Sequence, residues 1–184
     1  MKNKFNDLLT ANRCAHILYA YNDKELYLQN AIAYIIDGIE AGDSIILIEN
    51  EKNLRILNKQ LNKLLSSSQL EKIQVISNFD FYLSSGGYHP PSIFEYLTKT
   101  NTPYLENNIS FRTWTNVEWG TLEGPSHIVE GFEKQTDKVV HEFGLTLVCA
   151  YEAERMPEDL KSALMKSHPH IMTDEDIHLS PQYQ

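Results

Sequence analysis

Short apolar runs alternate along this chain with longer segments whose apolar residues recur every three or four positions. The runs fall at 16–21 (HILYAY), 44–49 (SIILIE), 73–77 (IQVIS), 110–118 (SFRTWTNVE) and 145–150 (LTLVCA). Each has the length and β-branched or aromatic content of a strand. Between the first two, Leu26, Ile32, Ile35, Ile36 and Ile39 keep helical spacing and predict a helix over 23–39, with Asn22 as N-cap and Glu25 as its capping-box partner. Gly38 or Gly42 ends that helix. A second helix starts at Asn50 and carries Leu54, Leu57, Leu61, Leu64 and Leu65. Further helices are expected over 92–107, with a break at Pro103, over 126–143, stopped by Gly144, and after an acidic, proline-containing turn up to His168.

Two stretches stand outside this rhythm. Residues 78–91 hold Ser84-Ser85-Gly86-Gly87 and Pro90-Pro91, and read as irregular structure, either a mobile lid or an exposed connector. In the fourth strand, alternation puts Arg112, Trp114, Asn116 and Glu118 on one side and Phe111, Thr113, Thr115 and Val117 on the other. A central position would bury Arg112 and Glu118, which is costly for unpaired charges. Together they could form an ion-pair network or a ligand clamp.

Strands alternating with helices predict a three-layer α/β domain over 14–172, with a mainly parallel five-stranded sheet. A helical extension with Phe5, Leu8 and Leu9 on its apolar side precedes it over 1–13. A polar tail over 173–184 follows, with Thr173 and Asp176 capping a last turn. No internal repeat or linker interrupts the chain, and 184 residues suit one domain with a sizeable core.

Composition narrows the function. Hydrophobic content of 42% and charged content of 22% are ordinary for a globular protein. A formal net charge of -9, with scattered Lys and Arg, argues against direct contact with nucleic acid. The start of the chain is polar, and no apolar run has bilayer-spanning length. Cys14 and Cys149 are far apart and lack CxxC spacing, so the reading is a cytoplasmic chain with free thiols.

The familiar nucleotide signatures are missing. No glycine precedes a lysine, no two glycines have GxG spacing, and neither HExxH nor GxSxG occurs. The turn after the first strand, Asn22-Asp23-Lys24-Glu25, carries acids where a phosphate loop offers glycines. No cofactor is expected.

Ligands of open α/β sheets bind beyond the carboxyl ends of the strands. Tyr19 and Tyr21, Glu118 and Trp119, and Tyr151 and Glu152 after Cys149 would gather there as an aromatic edge with a few acids, suited to a small, weakly polar ligand. Cysteine is also a common inert core residue. His168 and His170, with Cys149 and His16, are residue types that hold zinc. His16 opens its strand whereas Cys149 lies late in its own, and that offset separates them along a parallel sheet. No metal is assigned on this basis, and His170 is read as a surface residue.

The blocks His16-Ile17-Leu18-Tyr19-Ala20-Tyr21, Glu25-Leu26, Gly38-Ile39-Glu40-Ala41-Gly42-Asp43, Phe111-Arg112, Glu118-Trp119, Leu147-Val148-Cys149-Ala150-Tyr151 and His168-Pro169 resemble, in order and spacing, those of the MEDS domain. The likeness runs from about residue 14 to 171. It implies a RecA- or KaiC-type core lacking the P-loop. It also implies a ligand-sensing role in prokaryotic signal transduction, directed at simple hydrocarbon derivatives. His16, Cys149 and His168 would correspond to the family's histidine and cysteine positions. Family members are often joined to histidine-kinase or DNA-binding modules, and no such module is recognisable here, which points to a protein partner or self-association.

Three functions stay open at the level of sequence. The first is a non-enzymatic sensor that binds a small organic ligand through His16, Tyr19, Tyr21, Arg112, Glu118, Trp119, Cys149, Tyr151 and His168. The second is a thiol- or metal-dependent hydrolase using Cys149 and His168. The third is an interaction protein whose pocket is filled by its own side chains.

Overall fold

All five expected strands form, and two short ones extend the sheet beyond them. The computed structural model describes Phe5, Leu8, Leu9, residues 14–118 and residues 126–184. The strands are β1 (Ala15–Tyr21), β2 (Ser44–Glu49), β3 (Ile73–Ser77), β4 (Phe111–Asn116), β5 (Thr146–Glu152), β6 (His170–Met172) and β7 (Ile177–Leu179). The helices are α1 (Lys24–Ala41), α2 (Glu51–Leu64), α3 (Ser67–Leu70), α4 (Asn78–Leu83), α5 (Pro90–Glu106), α6 (Ser126–Phe143) and α7 (Glu158–Ser167), with a 3₁₀ turn at Ala153–Arg155.

The sheet has seven strands rather than five, in the order β3-β2-β4-β5-β1-β6-β7. Every pair is parallel except β6 with β7. The two added strands have three residues each, too few to show a period in the sequence. β7 lies within the stretch expected to be a polar tail. Thr173 and Asp176 do shape the turn before it: the Thr173 amide donates to the Asp176 carbonyl at 2.8 Å, and the Asp176 amide donates to Thr173 Oγ1 at 3.0 Å.

The central strands are apolar on both faces and both are covered, as a parallel sheet requires. One face packs Tyr27, Tyr34 and Ile35 of α1 and Leu57 and Leu61 of α2 against Ile17, Tyr19, Trp114 and Val148. Phe5 reaches this layer too, meeting the Tyr34 ring edge-on at 5.1 Å. The opposite face packs Phe81 and Tyr82 of α4, Ile93 of α5, Phe132 of α6 and Leu160 of α7 against Leu18, Ile48 and Leu147. β4 shows the expected alternation, with Trp114 in the first layer and Val117 in the second.

Local expectations hold in part. Asn50 caps α2 through the Asn53 amide, and Gly42 ends α1 at φ +96°, a conformation that glycine reaches without a Cβ clash. The N-cap of α1 is Asp23, not Asn22: its carboxylate accepts from the amides of Glu25 and Leu26 at 2.7 and 2.9 Å. The expected irregular stretch begins with α4, because Ser77 caps a turn that buries Phe81 and Tyr82. Pro103 does not break α5. The carbonyl of Lys99 loses its i+4 donor there, but Lys99 is exposed and water can replace it.

Arg112 and Glu118 are paired, though not with each other. The Arg112 Nε donates to Asp43 Oδ2 at 2.7 Å, with a second bond from Nη2, and its guanidinium stacks on the Tyr34 ring at 5.6 Å. Its side chain crosses α1 at Gly38, where a Cβ would lie 2.9 Å from Arg112 Cδ and 2.5 Å from Ile45 Cδ1. Glu118 instead receives Arg155 at 3.1 Å, beyond the other end of β4.

Candidate functional site

Among the described residues, one cluster of buried polar side chains has metal-ligand chemistry. β1 and β5 are neighbours, with His16 opposite Leu147 and Leu18 opposite Cys149. His16 and Cys149 are therefore offset by only two residues, on one face of the sheet. The imidazole leans along the strand, and its Nε2 lies 3.5 Å from the Cys149 sulfur. The separation expected from their places in the two strands is thus overturned. Cys149 sits inside β5 rather than at its end, because β5 runs on to Glu152.

α6 lies over this spot and brings Glu133, while the chain leaving α7 brings His168. Glu133 Oε2 is 3.5 Å from His16 Nε2, 3.7 Å from His168 Nε2 and 3.7 Å from the Cys149 sulfur. Tyr151, two residues after Cys149 on the same face, donates to Glu133 Oε1 at 2.5 Å. His16, Glu133 and His168 are wholly buried and Cys149 nearly so. Among the described residues, the four form one group whose ligand atoms all lie within 4.8 Å of one another.

A hydrogen-bonded path leads outward from this group. His16 Nδ1 donates to Asp137, one helical turn after Glu133, at 3.1 Å. The Tyr183 hydroxyl donates to Asp137 at 3.0 Å and lies 3.2 Å from His141 Nε2. His141 in turn meets the Cys14 sulfur at 3.4 Å. Both cysteines are free. A surface cavity of ≈ 410 Å³, bordered by Asp137, Ser167, Lys134, Lys138 and Lys166, opens over this path.

The protonation states follow from burial and neighbours. Burial alone would depress His16, but its hydrogen bonds to Asp137 and Glu133 outweigh it and raise the pKa. Burial would raise Glu133, but His16, His168 and Tyr151 hold it below the usual carboxylate range. Burial, followed by the charge of His16, pushes His168 down to about 3. Burial and then Glu133 push the Cys149 thiol well up. These directions favour positive charge on His16 and negative charge on Glu133, and disfavour charge on His168 and Cys149.

A second polar group lies on the other face. Glu49, at the end of β2, accepts from the Asn50 amide at 2.7 Å, from Asn53 at 3.0 Å and from the Tyr27 hydroxyl. Trp114 Nε1 donates to that hydroxyl at 3.0 Å, and the Tyr21 ring packs on Tyr27 at 4.3 Å. Burial raises the Glu49 pKa despite these donors. Burial also pushes Tyr21 up to about 12. Tyr19 donates to Asp174 Oδ1 at 2.7 Å, and Asp174 Oδ2 accepts from the amides of Asn22 and Asp23 at 3.2 and 3.1 Å.

A third group borders a strand-end cavity of ≈ 560 Å³: Asn50, Ser77, Asn78, Asp80, Glu118 and Arg155. A pocket does open beyond the strand ends, but the aromatic edge does not assemble there. Tyr19 and Tyr21 turn to the α1 face, Tyr151 and Cys149 turn to the α6 face, and Arg112 lies at the opposite end of β4 from Glu118. Trp119 lies outside the described residues. Of the expected site residues, the structure joins His16, Cys149, Tyr151 and His168. His170, read as a surface residue, is buried; its pKa is lowered by burial and then by His141 and His16.

Glu133 and Asp137 escaped the sequence reading. The signal was there: Val129, Phe132, Thr136 and Val140 mark the buried stripe of α6, and Glu133 falls within it. An acid on an apolar stripe has to find buried partners.

A small cavity of ≈ 10 Å³ lies beside Cys149, bordered by Tyr82, Thr113, Thr115, Phe132 and Leu147. No helix among the described residues is long and apolar enough to cross a membrane.

Comparison with solved structures finds the same parallel α/β architecture in other proteins. The KaiC-like protein PH0186 from the hyperthermophilic archaeon Pyrococcus horikoshii OT3 superposes with a TM-score of 0.58 at 12% identity, over 86% of this chain and 70% of that one. A second solved structure, of an ATPase domain, gives a TM-score of 0.54 at 11% identity, over 88% of this chain and 69% of that one. At such identities the likeness shows the fold, a RecA/KaiC-type parallel α/β core. No curated protein matches the chain. The family described as MEDS, the methanogen/methylotroph, DcmR sensory domain, matches residues 15–169. These span β1 to the residue before β6 and include all four members of the buried group, and the chain belongs to the MEDS family of sensory domains.

Proposed function

We propose that this domain senses a small organic, hydrocarbon-derived molecule and reports it through protein–protein contact, without catalysis. The observation that carries the reading is the apolar cavity beside Cys149, which abuts a fully buried group of ionisable side chains. At ≈ 10 Å³ the cavity has room for about one water. An organic ligand therefore has to displace Tyr82 or Phe132, and binding is coupled to repacking of α4 or α6. Asp137, Tyr183 and His141 supply a hydrogen-bonded route from the buried group to the surface. The receiving partner is a histidine kinase or transcription regulator, or a second copy of the chain; nucleic acid is not contacted directly.

Chemistry supports the non-enzymatic reading over a thiol hydrolase. A nucleophilic cysteine needs a depressed pKa and access, whereas burial and Glu133 hold Cys149 as a thiol at 2% exposure. The small cavity also favours a second reading, a pure interaction domain whose pocket its own side chains fill.

Thermal denaturation with a panel of short-chain alcohols, aldehydes and haloalkanes separates the two. The sensor predicts a saturable rise in Tm with at least one compound, lost in Cys149→Ala and in Thr115→Leu, which fills the cavity. No shift with any compound favours the interaction domain. A shift that both variants retain places the ligand elsewhere.

A further inference from the structure

We infer that His16, Glu133, Cys149 and His168 form a closed four-ligand site for a divalent transition metal of the zinc type. The inference goes beyond the sensing role and stands whether or not an organic molecule binds.

The spacing is that of a coordination sphere. Zinc bonds of about 2.0–2.3 Å at tetrahedral angles give ligand–ligand edges of about 3.3–3.6 Å. The pairs His16 Nε2–Cys149 Sγ and His16 Nε2–Glu133 Oε2 are 3.5 Å apart. Glu133 Oε2 is 3.7 Å from both Cys149 Sγ and His168 Nε2. Small rotations about χ angles would close these edges onto one ion.

His168 supplies the second, independent observation. Its Nδ1 lies 2.8 Å from the Leu164 carbonyl, an acceptor only, so Nδ1 carries the proton. In the neutral ring Nε2 is then a bare lone pair. That atom is buried, has no hydrogen-bond partner and faces the Glu133 carboxylate. His16 and the Cys149 thiol already partner Glu133, so the unmet need is that of His168 Nε2, a buried lone pair that a metal cation at this spot would satisfy.

The surroundings have the form of an outer shell. Metal-bound histidines usually donate their other ring nitrogen to a carboxylate or a backbone carbonyl. Here His16 Nδ1 donates to Asp137 and His168 Nδ1 donates to Leu164. Tyr151 fixes the far oxygen of Glu133. The donor set of sulfur, two nitrogens and one oxygen suits zinc, cobalt or ferrous iron, and does not suit calcium or magnesium, which take oxygen ligands. All four positions come from the protein and are buried, so this site lacks the open position of a hydrolytic zinc centre. On binding, the Cys149 thiol and the protonated Nε2 of His16 each release a proton to solvent, so that the sulfur coordinates as thiolate and the imidazole through its freed lone pair.

Chelator-treated full-length protein, confirmed folded by circular dichroism, is titrated with Co²⁺ and then Zn²⁺. The expected result is saturation at one equivalent, the visible bands of tetrahedral cobalt and a sulfur-to-cobalt charge-transfer band, both erased by zinc. Cys149→Ser removes the charge-transfer band, and Asp137→Ala weakens zinc binding by about 10-fold or more. Folded wild-type protein that shows no stoichiometric tetrahedral cobalt overturns the inference, even if the variants fail to fold. So does a charge-transfer band that persists in Cys149→Ser. A thermal shift with an organic compound bears on neither outcome, so failure of the metal site and failure of the sensing role are distinguishable.

Discussion

The imidazole of His168 stacks on that of His16, with ring centroids 3.9 Å apart and planes inclined by 29°. The two rings have opposite protonation tendencies, His16 raised and His168 lowered to about 3. A charge on one ring disfavours a charge on the other, and Glu133 and Asp137 favour it on His16.

A pH dependence follows for metal-free protein. The unfolded chain protonates His168 near 6.5, whereas the folded chain resists until about 3. Below 6.5 the unfolded state binds the extra proton, so this residue's contribution is present above that value and declines as pH falls toward 3. Urea unfolding between these limits is expected to show a steeper acid loss in the wild type than in His168→Gln. Parallel curves would refute the assignment.

Asp43→Ala is expected to destabilise strongly. Arg112 is 6% exposed, and Asp43 is its carboxylate partner. Removing one member of a buried ion pair leaves an uncompensated charge, at a cost of about 3–5 kcal/mol. The double variant Asp43→Ala/Arg112→Met should recover much of the loss, because no charge remains to be solvated. Denaturant midpoints of the two variants check this, and equal midpoints would contradict it.

Gly38→Ala opposes two effects of known size. Alanine gains about 1 kcal/mol of helix propensity over glycine. The added Cβ, however, meets Ile45 Cδ1 at 2.5 Å and an arginine held in place by Asp43. Overpacking of this kind costs about 1–3 kcal/mol, so the net outcome is a lower Tm. A Tm equal to or above that of the wild type would show that Arg112 yields.

The sequence announced the repeated strand–helix units through residues with clear periods. The isoleucines of α1, Leu54, Leu57 and Leu61 of α2 and the SIILIE run each face the core, and such surfaces leave a readable pattern, although Leu64 on the same expected stripe is exposed. β6 and β7 were silent because three residues carry no period and depend on β1 for their position. α4 was hidden by the Ser, Gly and Pro residues that follow it. The buried group was half legible: His16, Cys149 and His168 were visible as residue types and through the family likeness. Their convergence depended on β1 lying beside β5, and neighbour order is a tertiary fact. Glu133 was overlooked because a single acid within a charged helix looks like any solvated residue until the stripe around it is traced.

Asp174 gives the first strand–helix turn an unusual occupant. In strand–loop–helix phosphate sites, amides at this place receive an anion. Here the amides of Asn22 and Asp23 receive a carboxylate delivered by the β6–β7 hairpin, and Tyr19 secures its other oxygen. Asp174 is thus a tethered competitor. A covalently attached group acts at an effective concentration on the order of millimolar or higher. A free anion seeking that turn would have to outcompete Asp174 and peel the hairpin away.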